Sequence, residues 1–505
     1  MCTDSINRKA QKIMLRKIRI TLATLFFVGI TALFLDFTGA LPAYLGWMAK
    51  MQFIPAILAT NLAVVVGLLL VTLLMGRIYC SVVCPLGIMQ DIVSWFAARR
   101  KKRRFTYSKG KTALRVTMLV LFVVALVANV AWLAALIEPY SAYGRMVNNL
   151  LSPLYLWGNN LLAYIAERAD SYAFYSVDVW LKSGATLAVA AATFVLLFVL
   201  AWRNGRTWCN TICPVGTLLG AVSRYSILKP VIDTSKCTGC KVCARNCKAS
   251  CINAEAHEID YSRCVACMDC IENCSRGAIA YKYARRGKAQ SEEQKAAPGR
   301  REFLTAGAVV ATGTLFAQAN KKVDGGLAVI EDKKIPKRTT PIVPVGASTL
   351  HSFTTHCTAC QLCVSKCPND VLRPSGSIDR LMQPEMSFER GFCRPACTAC
   401  ADVCPTGAIK PIVPEQKSST KIGTAVWVAD NCIANKDGVR CNNCERHCPN
   451  GAITMITKDG NDGKKVRIPM IDAERCLGCG ACEYVCPSRP FSAIFVEGIE
   501  EHRTI

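Results

Sequence analysis

CTGCKVCARNC (residues 237–247) and CVACMDCIENC (residues 264–274) stand sixteen residues apart, and each is a CxxCxxCxxxC run. Thiolates at this spacing hold 4Fe-4S clusters: the first three of a run bind one cluster and the fourth crosses to the other. One cluster is therefore expected on Cys237, Cys240, Cys243 and Cys274, the other on Cys264, Cys267, Cys270 and Cys247. Lys248 and Ser275 stand where a proline usually follows the fourth cysteine, so Cys251 remains a rival to Cys247.

The rest of the chain extends this pattern. Of thirty cysteines in 505 residues, six four-cysteine runs take twenty-four, two CxxxCP motifs take four, and only Cys2 and Cys251 are left over. Repeated CxxC triplets suit cluster ligation and give poor disulfide geometry. The formal charge of +25 comes from basic residues beside apolar segments. That is the positive-inside pattern of a membrane protein, so no nucleic-acid partner is expected.

Four apolar spans precede the two runs: Ile20 to about Leu35, Ile54 to Met75, Ala113 to Ile137 and Ala185 to Trp202. The basic N-terminus, residues 1–19, places the first start in the cytoplasm. The loop from Arg99 to Arg115, with nine Lys or Arg and no acid, returns there. The segment from Glu138 to Lys182 carries four acids and three bases and is expected as an outer loop.

An internal repeat follows the second and fourth spans. Residues 76–87 read GRIYCSVVCPLG and residues 205–216 read GRTWCNTICPVG. Cys80 with Cys84, and Cys209 with Cys213, share a face if the segments stay helical. Together they offer four thiolates for a further iron-sulfur cluster, a pair of redox dithiols, or inert buried packing.

Four spans, two CxxxCP motifs at the cytoplasmic boundary and a following two-cluster ferredoxin resemble the NapH-like membrane ferredoxin-type family. Its relatives serve methylamine oxidation, nitrous oxide reduction and copper-oxidase assembly. The resemblance covers roughly residues 10–285 and implies exchange of electrons with the quinone pool.

Beyond a charged linker, Arg300 and Arg301 open an apolar run, 303–319, that looks like a twin-arginine export signal and a fifth span; the alternative is a buried amphipathic linker with both halves cytoplasmic. A proline-containing tether to Phe353 is expected next. Four more runs then supply Cys357, Cys360, Cys363 and Cys367; Cys393, Cys397, Cys400 and Cys404; Cys432, Cys441, Cys444 and Cys448; and Cys476, Cys479, Cys482 and Cys486. All end in CysPro, and three continue into a short apolar stretch of the GAI kind. The altered spacings of the second and third runs resemble the four-cluster NapG-like and MauM-like ferredoxin-type proteins, which implies a fusion of membrane and periplasmic partners. Either neighbouring runs exchange their fourth cysteine, or the first pairs with the last and the middle two together.

No CxxCH occurs, and the five histidines all lie outside the apolar spans, so no haem is expected. His356 and His447 adjoin cluster cysteines and are expected beside a cluster or facing solvent, not as ligands. A chain of one-electron centres without a catalytic group for a soluble substrate needs a membrane electron source, and quinol suits. Glu138 is a candidate acceptor of a quinol proton, or a solvated loop acid. Arg77 and Arg206 are candidates to offset the charge of a cluster or semiquinone, or are positive-inside anchors.

The expected architecture is a multi-pass protein of a bacterial inner membrane with α+β ferredoxin-like modules. Its parts are a four-helix domain (20–230), a cytoplasmic two-cluster domain (231–284), a linker with the fifth helix (285–345) and a periplasmic four-cluster domain (346–505). Six 4Fe-4S clusters are expected, with a seventh at the CxxxCP motifs as one alternative. The partners are lipid, the quinone pool and a periplasmic reductase or cytochrome. The function is quinol oxidation with delivery to that partner; the alternative is supply of reductant for maturing a metalloenzyme.

Overall fold

The structure, a computed structural model, describes residues 2–101, 105–283, 331–459 and 465–505. The expected export signal and fifth span, with Arg300, Arg301 and 303–319, lie outside the described residues.

Among the described residues two helices are long and apolar enough to cross a membrane, Met14–Leu35 within the Cys2–Leu35 helix and Gly184–Asn204. The other two expected spans are interrupted. Phe53–Leu58 and Leu62–Met75 are parted at Thr60, and Thr112–Val127 and Ala131–Ile137 at Asn129. Both break residues are left-handed, with φ of 53° and 57°. Asn61 restarts the second helix by accepting from the Val64 N–H, an ordinary N-cap. Another part of the chain comes close to each break, although Thr60 and Asn61 stay exposed. Gly407 lies over Ala59, and Asn129 Nδ2 is 3.4 Å from His351 Nδ1.

The segment expected as a loop after Glu138 is largely helical. Pro139–Met146 continues through a π-turn, Val147–Leu151, into Ser152–Arg168. Four asparagines hide this helix from a hydropathy reading, and they hold it in place. Asn159 and Asn160 donate to the Tyr175 and Val177 carbonyls and strap the returning chain to the helix. Large apolar side chains such as Leu25, Leu70, Val71, Val124, Leu161 and Val195 stay exposed around the bundle, a belt that suits hydrocarbon.

The cysteine runs form small α+β modules. In the first, Leu228–Ile232 pairs antiparallel with Ile279–Tyr283, and Ile252–Asn253 with Glu258–Ile259. In the second, Leu372–Pro374 pairs with Pro384–Met386, Ile453–Asp459 with Lys465–Ile471, and Thr420–Trp427 with Ile494–Thr504. The tether expected before Phe353 is not free over its described part. Ile342, Val343 and Val345 are buried, the Met386 N–H donates to the Ile342 carbonyl, and Arg338 pairs with Glu483.

The modules sit at opposite ends of the helical bundle. The first touches Arg16, the Leu73 and Met75 carbonyls, Arg77, Asp91 and Arg115. The second touches Asp36, Ala59, Asn129, Gly144 to Asn149 and Lys182.

Candidate metal centres

Around each CxxCxxC loop the backbone turns left-handed on both sides of the middle cysteine. Gly239 and Lys241 flank Cys240, Ala266 and Met268 flank Cys267, Ala359 and Gln361 flank Cys360, and Gly478 and Gly480 flank Cys479. Such turns gather successive N–H groups on the concave side, where an anionic centre is stabilised. The two runs with altered spacing lack positive φ beside their middle cysteines. The crossing cysteines are served differently. Val371, Ile409, Ala452 and Ala493 each donate a backbone N–H to Cys367, Cys404, Cys448 and Cys486, at 3.2–3.4 Å. The apolar stretch after each CysPro thus orients its sulfur, and after Cys367, Cys448 and Cys486 it runs on into a strand.

The thiols ring separate cavities. One is lined by Cys237, Cys240, Cys243 and Cys274, and one by Cys264, Cys267, Cys270 and Cys247, with Cys251 also on its wall. In the second module one cavity is lined by Cys432, Cys441, Cys444 and Cys486, and another by Cys448, Cys476, Cys479 and Cys482. Cys404 lies within electrostatic reach of Cys357, Cys360 and Cys363, and Cys367 within reach of Cys393 and Cys400. The fourth cysteine of each run therefore lies with the first three of its neighbour, as an exchange between neighbouring runs requires. Among the described residues no group of His, Cys, Asp or Glu closes around a point as a single ion needs. Four sulfurs around a cavity, with N–H groups directed at them, fit a cubane.

Cys251 Sγ is 3.5 Å from Cys247 Sγ, so both rivals face the same cavity. His356 and His447 turn Nδ1 to the Ser352 and Asn443 carbonyls of their own helical turns, at 2.8 and 2.9 Å, and line none of these cavities.

At the CxxxCP repeat the segments do not stay helical. Tyr79–Val82 and Thr207–Thr211 are short helices, and a new helix begins at each motif's proline, Pro85–Lys101 and Pro214–Ser223. Proline suits the first turn, where its missing N–H is not needed. All four thiols are buried and lie within electrostatic reach of one another. The repeat's arginines cross over. Arg77 donates to the Cys209 carbonyl (3.2 Å) and lies 3.7 Å from Cys80 Sγ; Arg206 donates to the Cys80 carbonyl (2.6 Å) and lies 4.0 Å from Cys209 Sγ. Gln90 adds a donor to Cys209 Sγ at 3.2 Å. The last glycines of the repeat make room: a Cβ on Gly87 would meet Arg206, and one on Gly216 would meet Arg77. Arg77 and Arg206 are 0% and 1% exposed, so they are internal braces, not anchors to a membrane surface.

The same braces reach the first module. Arg77 also donates to the Ser262 carbonyl at 3.0 Å, and the Arg206 N–H to the Lys248 carbonyl at 2.8 Å. Lys248, the residue that replaces the usual proline, pairs with Asp269 at 3.0 Å and Asp91 at 3.4 Å. Asp91 further pairs with Arg206 (2.7 Å) and Arg19. Burial alone would raise the Asp91 carboxyl, but Arg206, Lys248 and Arg19 together hold it well below the usual carboxylate range. Sequence reasoning missed Asp91; the clue available was a non-proline after Cys247.

Glu138 is 1% exposed and caps the Pro139–Met146 helix, its two carboxylate oxygens accepting the Tyr140 and Ser141 N–H groups. Buried and engaged at both oxygens, it is not a solvated loop acid; the structure shows it as a helix cap.

Comparison with known proteins agrees with the CxxxCP repeat and the second module. A family model described as a 4Fe-4S binding domain matches residues 58–105 and 186–232, and one described as a 4Fe-4S dicluster domain matches 356–408 and 439–489. The ferredoxin-type protein MauM of methylamine utilization in Methylorubrum extorquens is 33% identical over 196 residues, 37% of this chain and 84% of that protein. NapG of Escherichia coli is 31% identical over 211 residues, 39% of this chain and 84% of that protein. The chain belongs to the family of NapG and MauM ferredoxin-type proteins. Its first half is similar to NapH of Escherichia coli, 30% identical over 195 residues. That match takes in 38% of this chain and spans about half, 55%, of the NapH length. No solved structure matches. The chain is thus an iron-sulfur electron-transfer protein that joins NapH-like and NapG-like parts. The first of the two family models falls on the CxxxCP repeat and ends before Cys237.

Proposed function

We propose that this ferredoxin-type protein is a membrane-anchored electron conductor. It takes electrons from quinol and delivers them through the four-cluster module to a periplasmic redox partner. The observation that carries the reading is the placement of the two cysteine modules at opposite ends of one bundle, with the CxxxCP quartet inside it. In this reading the broken spans still cross, their outer ends close to the exported module, and the basic 99–115 loop marks the cytoplasmic side. When bound, iron-sulfur clusters supply one-electron chemistry at potentials tuned by charge and hydrogen bonds. The six cysteine sets of the two modules are the proposed ligands, four sulfurs to each cluster.

The CxxxCP quartet is proposed as a seventh centre. Two buried guanidinium groups and the Gln90 amide directed at its sulfurs favour an anionic occupant over inert thiols. Residues also bridge the quartet to both modules. Toward the first module these are Arg77, Asn210 and the Ser262 and Ala249 carbonyls. Toward the second, Tyr79 lies within electrostatic reach of Cys80, Cys84 and Glu138, and Tyr140 within reach of Glu138, Cys360 and Cys404. These side chains exclude water and keep the path dry.

Two measurements test the reading. Quinol added anaerobically to the purified protein should bleach the cluster absorbance; clusters left oxidised by quinol would overturn the quinol assignment. In spheroplasts, protease should cut the exposed stretch 435–440 of the four-cluster module; protection until the membrane is breached would put that module inside.

A further inference from the structure

The Pro139–Met146 helix of the bundle presses directly on the first cysteine loop of the four-cluster module. A Cβ on Gly144 would lie 2.6 Å from the Cys360 carbonyl oxygen. Asn149 Nδ2 donates to Gln361 Oε1 at 2.9 Å, and Asn148 Nδ2 to the same oxygen at 3.3 Å. The seam is dry: Tyr140 is 1% exposed, Arg145 0% and Gln361 1%.

Two side chains on this helix are left incomplete. The Tyr140 hydroxyl has no hydrogen-bond partner, and Arg145 uses only Nη2, donated to the Ala135 carbonyl at 2.9 Å, while Nε and Nη1 have none. Buried donors without acceptors are rare because each costs about 1–3 kcal/mol, more for a charged group. The groups around them are the cysteines of the first set. Tyr140 is within electrostatic reach of Cys360 and Cys404, and Arg145 of Cys360. Glu138, the neighbouring acid, already accepts a backbone N–H at each oxygen and makes no hydrogen bond to Arg145. The cysteine sulfurs are the further acceptors within reach, and they become strongly accepting once they are thiolate or cluster sulfide.

We propose that Tyr140 and Arg145, residues of the membrane half, donate hydrogen bonds to the sulfurs of the centre held by Cys357, Cys360, Cys363 and Cys404. They thereby raise its potential above what the four-cluster module alone would set. Both donors and the guanidinium charge stabilise the more negative, reduced state of that centre. Docking of the two halves is then part of its electronic tuning: the electron is held best at the seam, where it enters the exported module. This rests on the proposed cluster ligation. Tyr140 and Arg145 are positioning residues, not ligands.

The test is a redox titration of the full chain followed by EPR, comparing Tyr140→Phe, Arg145→Lys and Arg145→Met with the unaltered protein. The expected result is a downward shift of one cluster's potential in Tyr140→Phe, a larger one in Arg145→Met and partial recovery in Arg145→Lys, with the other signals and the iron content unchanged. Tyr140→Phe removes one oxygen from a buried site and keeps the fold testable if Arg145→Met does not assemble. A full set of signals with no shift in Tyr140→Phe and Arg145→Lys overturns the inference and leaves the ligation intact. Iron and EPR signals missing from this centre in the unaltered protein overturn the ligation, and the inference with it.

Discussion

The two seams that hold modules to the bundle are built on different physics. The inner seam is a network of charges. Asp91 and Asp269 share Lys248, Arg16 pairs with Asp269 and Glu272, and Arg206 and Arg19 close on Asp91. The outer seam has one enclosed ion pair among the described residues, Lys366 to Asp36 at 2.8 Å; its other cations meet carbonyls or a ring, Lys182 on the Val364 carbonyl and Arg373 and Arg390 over Trp180, among amide contacts and apolar packing. The difference teaches where each seam is sensitive. A charge network fails when one member leaves its neighbours buried and unpaired, whereas a packed seam fails when something is pushed into it.

The largest effect is expected at the hub of the network. Asp91→Asn strands Arg206, Lys248 and Arg19 and should cost about 3–5 kcal/mol. Limited proteolysis should show the two-cluster module released, with iron lost from it and from the CxxxCP quartet while the four-cluster module keeps its own. An intact inner seam in this variant would mean that packing, not charge, holds it. The pH dependence has a definite sign. A carboxyl depressed on folding contributes stability that is complete above its unfolded value of about 4 and fades only below it. The inner seam should therefore be unchanged from about pH 8 to about pH 5 and weaken below about pH 4.

At the outer seam, Lys366→Met should cost about 2–3 kcal/mol by leaving the Asp36 carboxylate enclosed, although Thr38, Gly39 and Leu41 N–H groups still serve it. The double variant with Asp36→Asn should recover most of that loss, which urea titration of the seam would read. Gly144→Ala, which drives a methyl group against Cys360 and Phe34, should cost about 1–3 kcal/mol and part the halves without touching any charge. The smallest effect is expected away from both seams. Lys241→Ala breaks an exposed, solvent-screened pair with Glu255 and should leave the urea midpoint unchanged.

Much of the site was legible because cluster ligation is written in short spacings. The ferredoxin-like modules follow from CxxCxxC alone, and the strands after Cys367, Cys448 and Cys486 from a few apolar residues. The crossing of Arg77 and Arg206 was not legible, although the repeat that carries them was: spacing says that two motifs are alike and not that each braces the other. The interrupted spans escaped because hydropathy averages over a break such as Leu58 to Leu62. The Pro139–Arg168 helices escaped because their asparagines face the protein, where they bond backbone groups and the Gln361 amide. Glu138 drew notice as an isolated acid, and only its place before Pro139 marks it as a cap.

By itself the sequence determined the cysteine sets, the repeat and the apolar belt, because each depends on residues close together along the chain. The tertiary structure alone decided that neighbouring runs share cavities, that the modules occupy opposite ends, and that the bundle supplies Tyr140 and Arg145 to a cysteine loop more than two hundred residues away. Those pairings depend on how buried surfaces meet across the chain, and no local spacing records which surfaces meet.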